Sequence, residues 1–319
     1  MTRRTVVALA FMTLAAGATA CGGSGDPNPG LNTTFGAQMA STWHYVGAPQ
    51  RVQIGIFAND SEGLRPVTQG SIDIAFSFLG GDDAGSGPTA TATFVAVPGT
   101  SETGDEPTIE AGARGVYEAE DVTFDRPGPW RATVSAEIDG VVRELSSDFV
   151  VDAESQIPAP GMPAIANETL TMDSDVRPGA IDSMADAVGE VPDPELHAVT
   201  IADVIRRGRP ALVLFGTPAY CTSEFCGPEV TELQQLAADH PDRAEFIHVE
   251  IWKDFNARPQ VINEGAADWL LRGTRQSPEM TEPWLYLIGA DGTIADRWGP
   301  LFDVDEVSAA LEALPPMNG

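Results

Sequence analysis

Three cysteines are the residues with the most distinctive chemistry in this sequence of 319 residues. Cys21 follows an apolar stretch at the start of the chain, whereas Cys221 and Cys226 lie close together, with only Thr-Ser-Glu-Phe between them. In an exported protein, two cysteines at such a spacing are typical of a redox pair or of a structural disulfide. The compartment of the chain therefore decides how this pair is interpreted.

The first residues of the chain predict export. Residues 1–20 combine a basic start with an apolar stretch that ends in small residues, which is the pattern of a signal peptide. Gly17-Ala-Thr-Ala-Cys21 resembles the lipobox of bacterial lipoproteins, with Ala18 at the usual leucine position. The resemblance implies a lipid on Cys21 that anchors the protein to the outer face of the cell membrane. A flexible tether is predicted for residues 21–34; the alternative is an ordinary secretory signal that leaves Cys21 free.

The charge of the chain excludes one class of partner. Its 47 acidic and 18 basic side chains give a formal charge of −29, and no stretch of the sequence concentrates basic residues. Binding to a phosphate backbone depends on clustered cations, so nucleic acid is not an expected partner. The sequence contains no pattern that requires a cofactor, and no segment after the signal peptide stays apolar for long enough to span a bilayer.

Short strand-like segments dominate residues 35–152. Segments such as Ser71–Phe78 alternate apolar and polar residues, which is typical of strands with one face in a core. The stretch from Gly115 to Val134, with Asp139-Gly140 as a hairpin turn, resembles the closing strands of bacterial immunoglobulin-like modules. We therefore expect an all-β immunoglobulin-like sandwich in this region. Its strands are predicted at residues 51–57, 71–78, 91–97, 115–124, 130–138 and 143–151.

The next segment, residues 153–198, is rich in proline and shows no sustained periodicity, so a linker is predicted. It contains three methionines and one histidine. A soft-metal site is one interpretation of these residues, but methionines at scattered spacing are more often packing residues. The residues concerned are Met162, Met172, Met184 and His197.

From residue 199 the pattern changes to alternating strands and helices. A buried strand is predicted at residues 211–215, directly before the cysteines, and a helix at residues 228–240, directly after them. Alternation of this kind predicts an α/β domain over residues 199–315, with a mixed sheet covered on both faces. Further strands are predicted at residues 245–251, 284–288 and 293–298, and further helices at residues 199–208, 262–271 and 304–314.

Two segments of this second region resemble exported thioredoxin-like domains of the ResA/TlpA type. They are Arg209–Phe215, before the cysteines, and Glu282–Ile294, after them. The resemblance implies that the cysteines lie at the N-terminus of a helix beside a cis-proline, Pro283. It also implies a thiol–disulfide oxidoreductase in which Cys221 is the nucleophile and Cys226 the resolving thiol, acting on exported protein thiols or disulfides. The expected fold is then multi-domain, an immunoglobulin-like sandwich followed by an α/β thioredoxin-like domain.

The sequence departs from that family around the cysteines. Four residues, rather than two, separate Cys221 from Cys226. If all of them were helical, the axial rise of about 7.5 Å would exceed the reach of a disulfide. Either Cys221 lies in the loop before the helix, or the first turn of the helix unwinds on oxidation. The strand in which thioredoxin carries a buried aspartate is apolar here, so Glu250 or His248 is the candidate for proton transfer. The alternative is that both residues simply line a face of the sheet.

Acidic residues surround the cysteine pair in the sequence. Glu224 and Glu229 flank the thiols, and Glu282 precedes Pro283. A negative charge near a thiol disfavours the thiolate. The pattern therefore predicts a pair that is more reducing than a typical oxidase, with no thiol pKa far below the usual value of about 8.5.

Three other functions compete with the oxidoreductase. The Cys-x4-Cys spacing after Thr217-Pro218 resembles Q-type peroxiredoxins, although the threonine of their motif is missing at its position. A Sco-type copper chaperone would use Cys221, Cys226 and His248 in the same fold, but a single histidine in a strand is more often a packed residue. The non-enzymatic alternative is a binding module in which the pair is a static disulfide.

Overall fold

Alternating apolar and polar residues build one large sheet in the first half of the chain. The structure is a computed structural model, which describes residues 33–100, 104–109, 112–223, 225–274 and 277–317. In Ser71–Phe78 the side chains of Ile72, Ile74 and Phe76 are buried and those between them are exposed, so one face of the sheet forms a core. The strands are β1 Thr34–Met39, β2 His44–Tyr45, β3 Gln50–Asp60, β4 Gly63–Thr68, β5 Ser71–Phe78, β6 Gly85–Ala96, β7 Thr108–Ile109, β8 Gly115–Val122, β9 Gly128–Ile138 and β10 Val141–Asp152.

This sheet is continuous rather than divided into two packed layers. Its order is β2-β10-β9-β5-β6-β8-β3-β4-β7, with β1 added beside β3. The long strand β6 pairs with β5 through its first part and with β8 through its last residues, and so joins what would otherwise be two sheets. β2 and β10 run parallel and the other pairs antiparallel, which makes a mixed, curled, half-barrel sheet.

A second, four-stranded sheet carries the cysteine loop. Its order is β12-β11-β17-β18, with β11 parallel to β12 and antiparallel to β17. Every residue of β11 is buried, because one face packs against a cluster that contains Trp269 and the other against a cluster that contains Leu233. The strands of this half are β11 Ala211–Gly216, β12 Glu245–Glu250, β13 Trp252–Asp254, β14 Val261–Ile262, β15 Arg272–Thr274, β16 Ser277–Glu279, β17 Trp284–Ile288 and β18 Ile294–Trp298; the α-helices in the described residues are α1 Ile201–Arg207, α2 Cys226–Asp239, α3 Glu264–Leu270 and α4 Val304–Ala313.

The proline-rich residues 153–198 are docked onto this second sheet. Backbone hydrogen bonds join Gly161 and Met162 to Ile294, and Ala164 to Gly292. Short 3-10 turns follow at Pro178–Ala180 and Pro194–His197, and the latter lies against β12. The segment is therefore part of the folded structure: its first part bonds to the start of β18, and its last part packs against β12.

The predicted fold class, an immunoglobulin-like sandwich plus a distinct α/β thioredoxin-like domain, is wrong. Strands account for 41% of the protein and helices for 18%, and the large sheet does not form a two-layer sandwich. Residues Thr33–Gly319 form one compact unit. Two kinds of contact join the two sheets: half-buried ion pairs of Arg51, in β3, with Asp296 and Glu306, and a buried hydrogen bond from Gln53 to the carbonyl of Leu301. Within the described residues, every helix is too short or too polar to span a bilayer.

Candidate functional site

Cys221 and Cys226 lie in and after the loop that follows β11, and they form a disulfide. Cys221 is in the loop, which is one of the two arrangements that its spacing from Cys226 predicted, and α2 begins at Cys226 itself. The two Cα atoms are 6.0 Å apart, within the usual range for a disulfide. Pro228 was predicted as the first residue of the helix and lies two residues after its start. Its missing N–H removes no hydrogen bond there, because the first four N–H groups of a helix have no intrahelical partner.

The two sulfurs have unequal surroundings. Cys226 is completely buried, whereas Cys221 is partly exposed. The backbone N–H of Cys226 points at the sulfur of Cys221 at 3.4 Å, and the hydroxyl of Ser223 lies 3.2 Å from the same sulfur. Both groups are able to donate to a Cys221 thiolate once the disulfide is opened, and they favour its ionisation. The exposed sulfur is thus also the better stabilised as an anion.

Glu282 completes the thiol site, a name used here for Cys221, Cys226 and Glu282. A carboxylate oxygen of Glu282 and the two sulfurs lie within 4.8 Å of one another. Burial, together with the charge of Glu250, raises the pKa of Glu282 to about 7, although the backbone N–H of Thr222 acts in the opposite direction. One oxygen of Glu282 has no hydrogen-bond partner among the described residues. The site therefore holds a carboxyl that gains and loses a proton near neutral pH.

Two other predicted site features lie beside this group. Pro283 is buried, and the Glu282–Pro283 peptide bond is cis. Glu229, in the first turn of α2, is only 1% exposed, and burial raises its pKa well above the usual value. Burial thus disfavours the charged form of Glu229, which weakens the electrostatic argument from sequence at this residue. Glu224 lies outside the described residues, as does Cys21.

Glu250 and His248, the candidates for proton transfer, lie on β12. The carboxylate of Glu250 accepts hydrogen bonds from the backbone N–H groups of Ser183 at 2.9 Å and Trp252 at 3.0 Å. Burial raises the pKa of Glu250. His248 is also buried, but its ring nitrogens face Asp182 and the carbonyl of Gly216 rather than the disulfide.

Asp182 and His197 form, with His248, a histidine–aspartate cluster. Oδ2 of Asp182 lies 3.4 Å from Nε2 of His197 and 3.3 Å from Nδ1 of His248, and each residue is 1% exposed. Burial raises the pKa of Asp182, but the two imidazoles that face it outweigh burial and hold the pKa below its usual range. Burial by itself lowers the pKa of His248. Asp182 raises it by more, so the pKa lies above its usual value.

Sequence reasoning missed this cluster. His197 was noticed only as one member of a methionine-containing segment, and nothing in the sequence distinguished Asp182 from its acidic neighbours. The contact depends on the docking of residues 153–198 beside β12, which periodicity does not predict. The methionine side chains of that segment take no part, since those of Met162, Met172 and Met184 are exposed.

The copper candidate made of Cys221, Cys226 and His248 is not brought together as one group. The two sulfurs are grouped with Glu282, whereas His248 is grouped with Asp182 and His197. In the described residues, these are the two places near the cysteine loop where possible metal ligands converge. In the disulfide form, the sulfurs of the first group have no thiolate to offer a metal.

Comparison with known proteins gives no family for the chain. No protein-family model matches it, and no curated protein matches it in sequence. The resemblances to thioredoxin-like, immunoglobulin-like and lipoprotein sequences therefore stay predictions, and any function has to be argued from the site itself.

Proposed function

We propose that the protein is a thiol–disulfide oxidoreductase that exchanges disulfides with exported proteins through Cys221 and Cys226. The observation that carries the proposal is the asymmetry of the thiol site: a partly exposed sulfur is bonded to a completely buried one beside the carboxyl of Glu282. Attack on a disulfide requires access to one sulfur and a good leaving group at the other. A static cross-link needs neither the exposure of Cys221 nor a titrating carboxyl beside it.

The exchange begins at the exposed sulfur. A thiolate of the partner attacks Sγ of Cys221, the Cys221–Cys226 bond breaks, and its electron pair goes to Sγ of Cys226. The second thiolate of the partner then attacks the mixed disulfide, and Cys221 leaves as a thiolate. The partner is oxidised by two electrons to a disulfide and the cysteine pair is reduced by two; the reverse sequence reduces a partner.

Glu282 supplies and removes the proton of the buried sulfur. Cys226 is completely buried, and burial disfavours its thiolate. A carboxyl with a pKa of about 7, within 4.8 Å of the sulfur, is protonated often enough to donate and ionised often enough to accept. Protonated Glu282 therefore gives its proton to the departing Cys226 sulfur, and ionised Glu282 takes it back when Cys226 resolves a mixed disulfide.

The proposal is tested by insulin reduction with a small dithiol as electron source. Wild-type protein is expected to accelerate the reaction well above the dithiol alone, and Cys221→Ser is expected to reduce the rate to that background. Glu279→Gln changes a nearby exposed glutamate and serves as the matched control, with wild-type turnover. A wild-type rate equal to background, with a disulfide that resists the dithiol, would establish the static cross-link instead.

The second part of the proposal concerns the cellular compartment in which this reaction takes place. Export by residues 1–20 and a lipid on Cys21 put the thiol site in the oxidising space outside the cell membrane, where protein disulfides persist. Expression in a bacterium supplied with labelled palmitate tests it. The label is expected on the wild-type chain, found in the membrane fraction, and absent from Cys21→Ala, which should be released; a wild-type chain that is unlabelled and freely secreted would contradict lipid anchoring and leave the thiol chemistry standing.

A further inference from the structure

The histidine–aspartate cluster places three metal-binding atoms around one point. Oδ2 of Asp182, Nε2 of His197 and Nδ1 of His248 all lie within 4.8 Å of one another. They come from distant parts of the chain, two from the docked segment and one from β12, and each side chain is at least 98% buried. Groups of this kind are rarely buried without a partner of some sort.

The distances fit a shared metal ion better than hydrogen bonds. A charge-assisted N–H···O hydrogen bond is about 2.7–2.9 Å long, whereas the two imidazole nitrogens lie 3.4 and 3.3 Å from the carboxylate oxygen. Ligand atoms at about 2.0–2.1 Å from a tetrahedral zinc ion are separated from one another by about 3.3–3.4 Å. The observed separations are those of the edges of such a tetrahedron.

The remaining atoms of the cluster are oriented as ligands require. Oδ1 of Asp182 accepts the backbone N–H of Met184 at 2.7 Å, which fixes the carboxylate and leaves Oδ2 facing the imidazoles. Nε2 of His248 makes a long hydrogen bond of 3.4 Å to the carbonyl of Gly216, and so directs the unprotonated Nδ1 at the centre of the cluster. Neither ring nitrogen of His197 nor Nδ1 of His248 has a hydrogen-bond partner among the described residues.

We propose that Asp182, His197 and His248 bind one divalent transition-metal ion of the zinc type. Two imidazoles and a carboxylate are the donor set that such ions accept, and they leave one tetrahedral position for a water molecule. The ion fastens residues 182–197 to β12, next to the strand that leads into the cysteine loop. Because the cluster is buried, the ion enters as the chain folds and contributes to its stability.

Metal uptake during refolding tests the proposal. The full chain, with its disulfide intact so that the thiols bind no metal, is unfolded in guanidinium with a chelator, refolded with Zn²⁺ or Co²⁺, and freed of excess ion. One equivalent of metal per chain is expected, with a melting temperature higher than that of chain refolded in chelator. The Co²⁺ form is expected to show the intense visible absorption of a tetrahedral ion.

Matched variants locate the ion. Asp182→Asn and His197→Gln are expected to bind less than a tenth of an equivalent, whereas His240→Gln, which changes a histidine that bonds Ser308 on another element, keeps the full equivalent. If the cluster variants do not refold, nitrogen ligation is read from X-ray absorption of the wild-type Co²⁺ form. A folded wild-type chain without stoichiometric metal, metal retained in both cluster variants, or a spectrum without imidazole ligands would each overturn the proposal. None of these readouts depends on disulfide exchange.

Discussion

The thiol site and the histidine–aspartate cluster both come close to one glycine, and they have opposite character. A Cβ atom at Gly216, the last residue of β11, would be 3.8 Å from the sulfur of Cys226 and 4.0 Å from Nε2 of His248. In the thiol site Cys221 is partly exposed, whereas every side chain of the cluster is buried. Exposure therefore separates the group that we propose to react with partners from the one that we propose to stabilise the fold.

The largest effect is expected from removal of the carboxylate in the cluster. Asp182→Ala leaves two buried imidazoles facing each other, and loss of one partner from a buried charged group typically costs about 3–5 kcal/mol. We expect the free energy of unfolding, measured by denaturant titration without added metal, to fall by that amount. Asp186→Ala, in an exposed turn of the same segment, is the control and should cost far less. Equal losses of unfolding free energy in both variants would show that the cluster stabilises the fold no more than an exposed residue of the same segment.

Glu118, a buried carboxyl of the large sheet, shows how burial changes a pKa at a place where no thiol is involved. Burial raises the pKa of Glu118 to about 7, against the opposing effects of Gln53 and Arg51 and with added repulsion from Glu306 and Glu120. The folded state therefore binds a proton that the unfolded state has released between about pH 4.5 and 7, so this residue lowers stability as pH rises through that range.

Glu118→Gln removes that dependence. At pH 8 we expect the free energy of unfolding of this variant to exceed that of wild type by up to about 3 kcal/mol, since one unit of pKa is about 1.4 kcal/mol. At pH 4 the two proteins should be nearly equal. Unfolding curves at the two values of pH measure the difference, and a gain of the same size at both would argue against titration of Glu118.

A smaller, purely kinetic effect is expected at Glu282. Because its pKa is raised to about 7, the proton donor is present below pH 7 and is lost above it. Reduction of the disulfide by a small thiol, with the rate divided by thiolate concentration, should fall through about pH 7 in wild type and be flat and about tenfold slower below pH 7 in Glu282→Gln. A pH profile that survives the substitution would assign the proton to another group.

The smallest effect on stability and on thiol reactivity is expected at Gly216, which lies close to both sites. A methyl group at Gly216 would make ordinary contacts, 3.5 Å from Cβ of Cys226 at the closest. Gly216→Ala should therefore change stability by less than about 1 kcal/mol and leave the thiol rate within twofold. Stopped-flow reduction and denaturant titration on the same sample test both. A large change in both the stability and the rate of disulfide reduction would mean that the two sites are structurally coupled.

The local elements of this protein could be predicted from its sequence, whereas their assembly could not. Each predicted strand from residue 51 to residue 151 is present, and so is the Asp139-Gly140 turn, where both residues have positive φ. Alternation of apolar residues fixes which face is buried, but not which strand lies beside which. β6 pairs with strands on both its sides, so one sheet formed where two were expected.

The same limit applies to the candidate site. The spacing of Cys221 and Cys226 excluded a disulfide within one continuous helix and left a loop position for Cys221 as one of two possibilities, which is the one observed. The closeness of Glu282 to the sulfurs followed only from the resemblance, and Asp182 could not be found at all. Its contact with His248 joins residues 66 positions apart through a segment that lacks periodicity, and such contacts are decided by tertiary packing.

The central claim, that Cys221 is the sulfur that partners attack, is tested most directly by the reactivity of each thiol of the pair when the other is removed. Cys226→Ser leaves Cys221 free and Cys221→Ser leaves Cys226 free; each is mixed with glutathione disulfide at pH 7, and the rate of modification of the peptide that contains residue 221 or residue 226 is followed by mass spectrometry. The account predicts that Cys221 forms the mixed disulfide at least about tenfold faster, because it is partly exposed and accepts the N–H of residue 226. Equal rates, or faster reaction of Cys226, would contradict it.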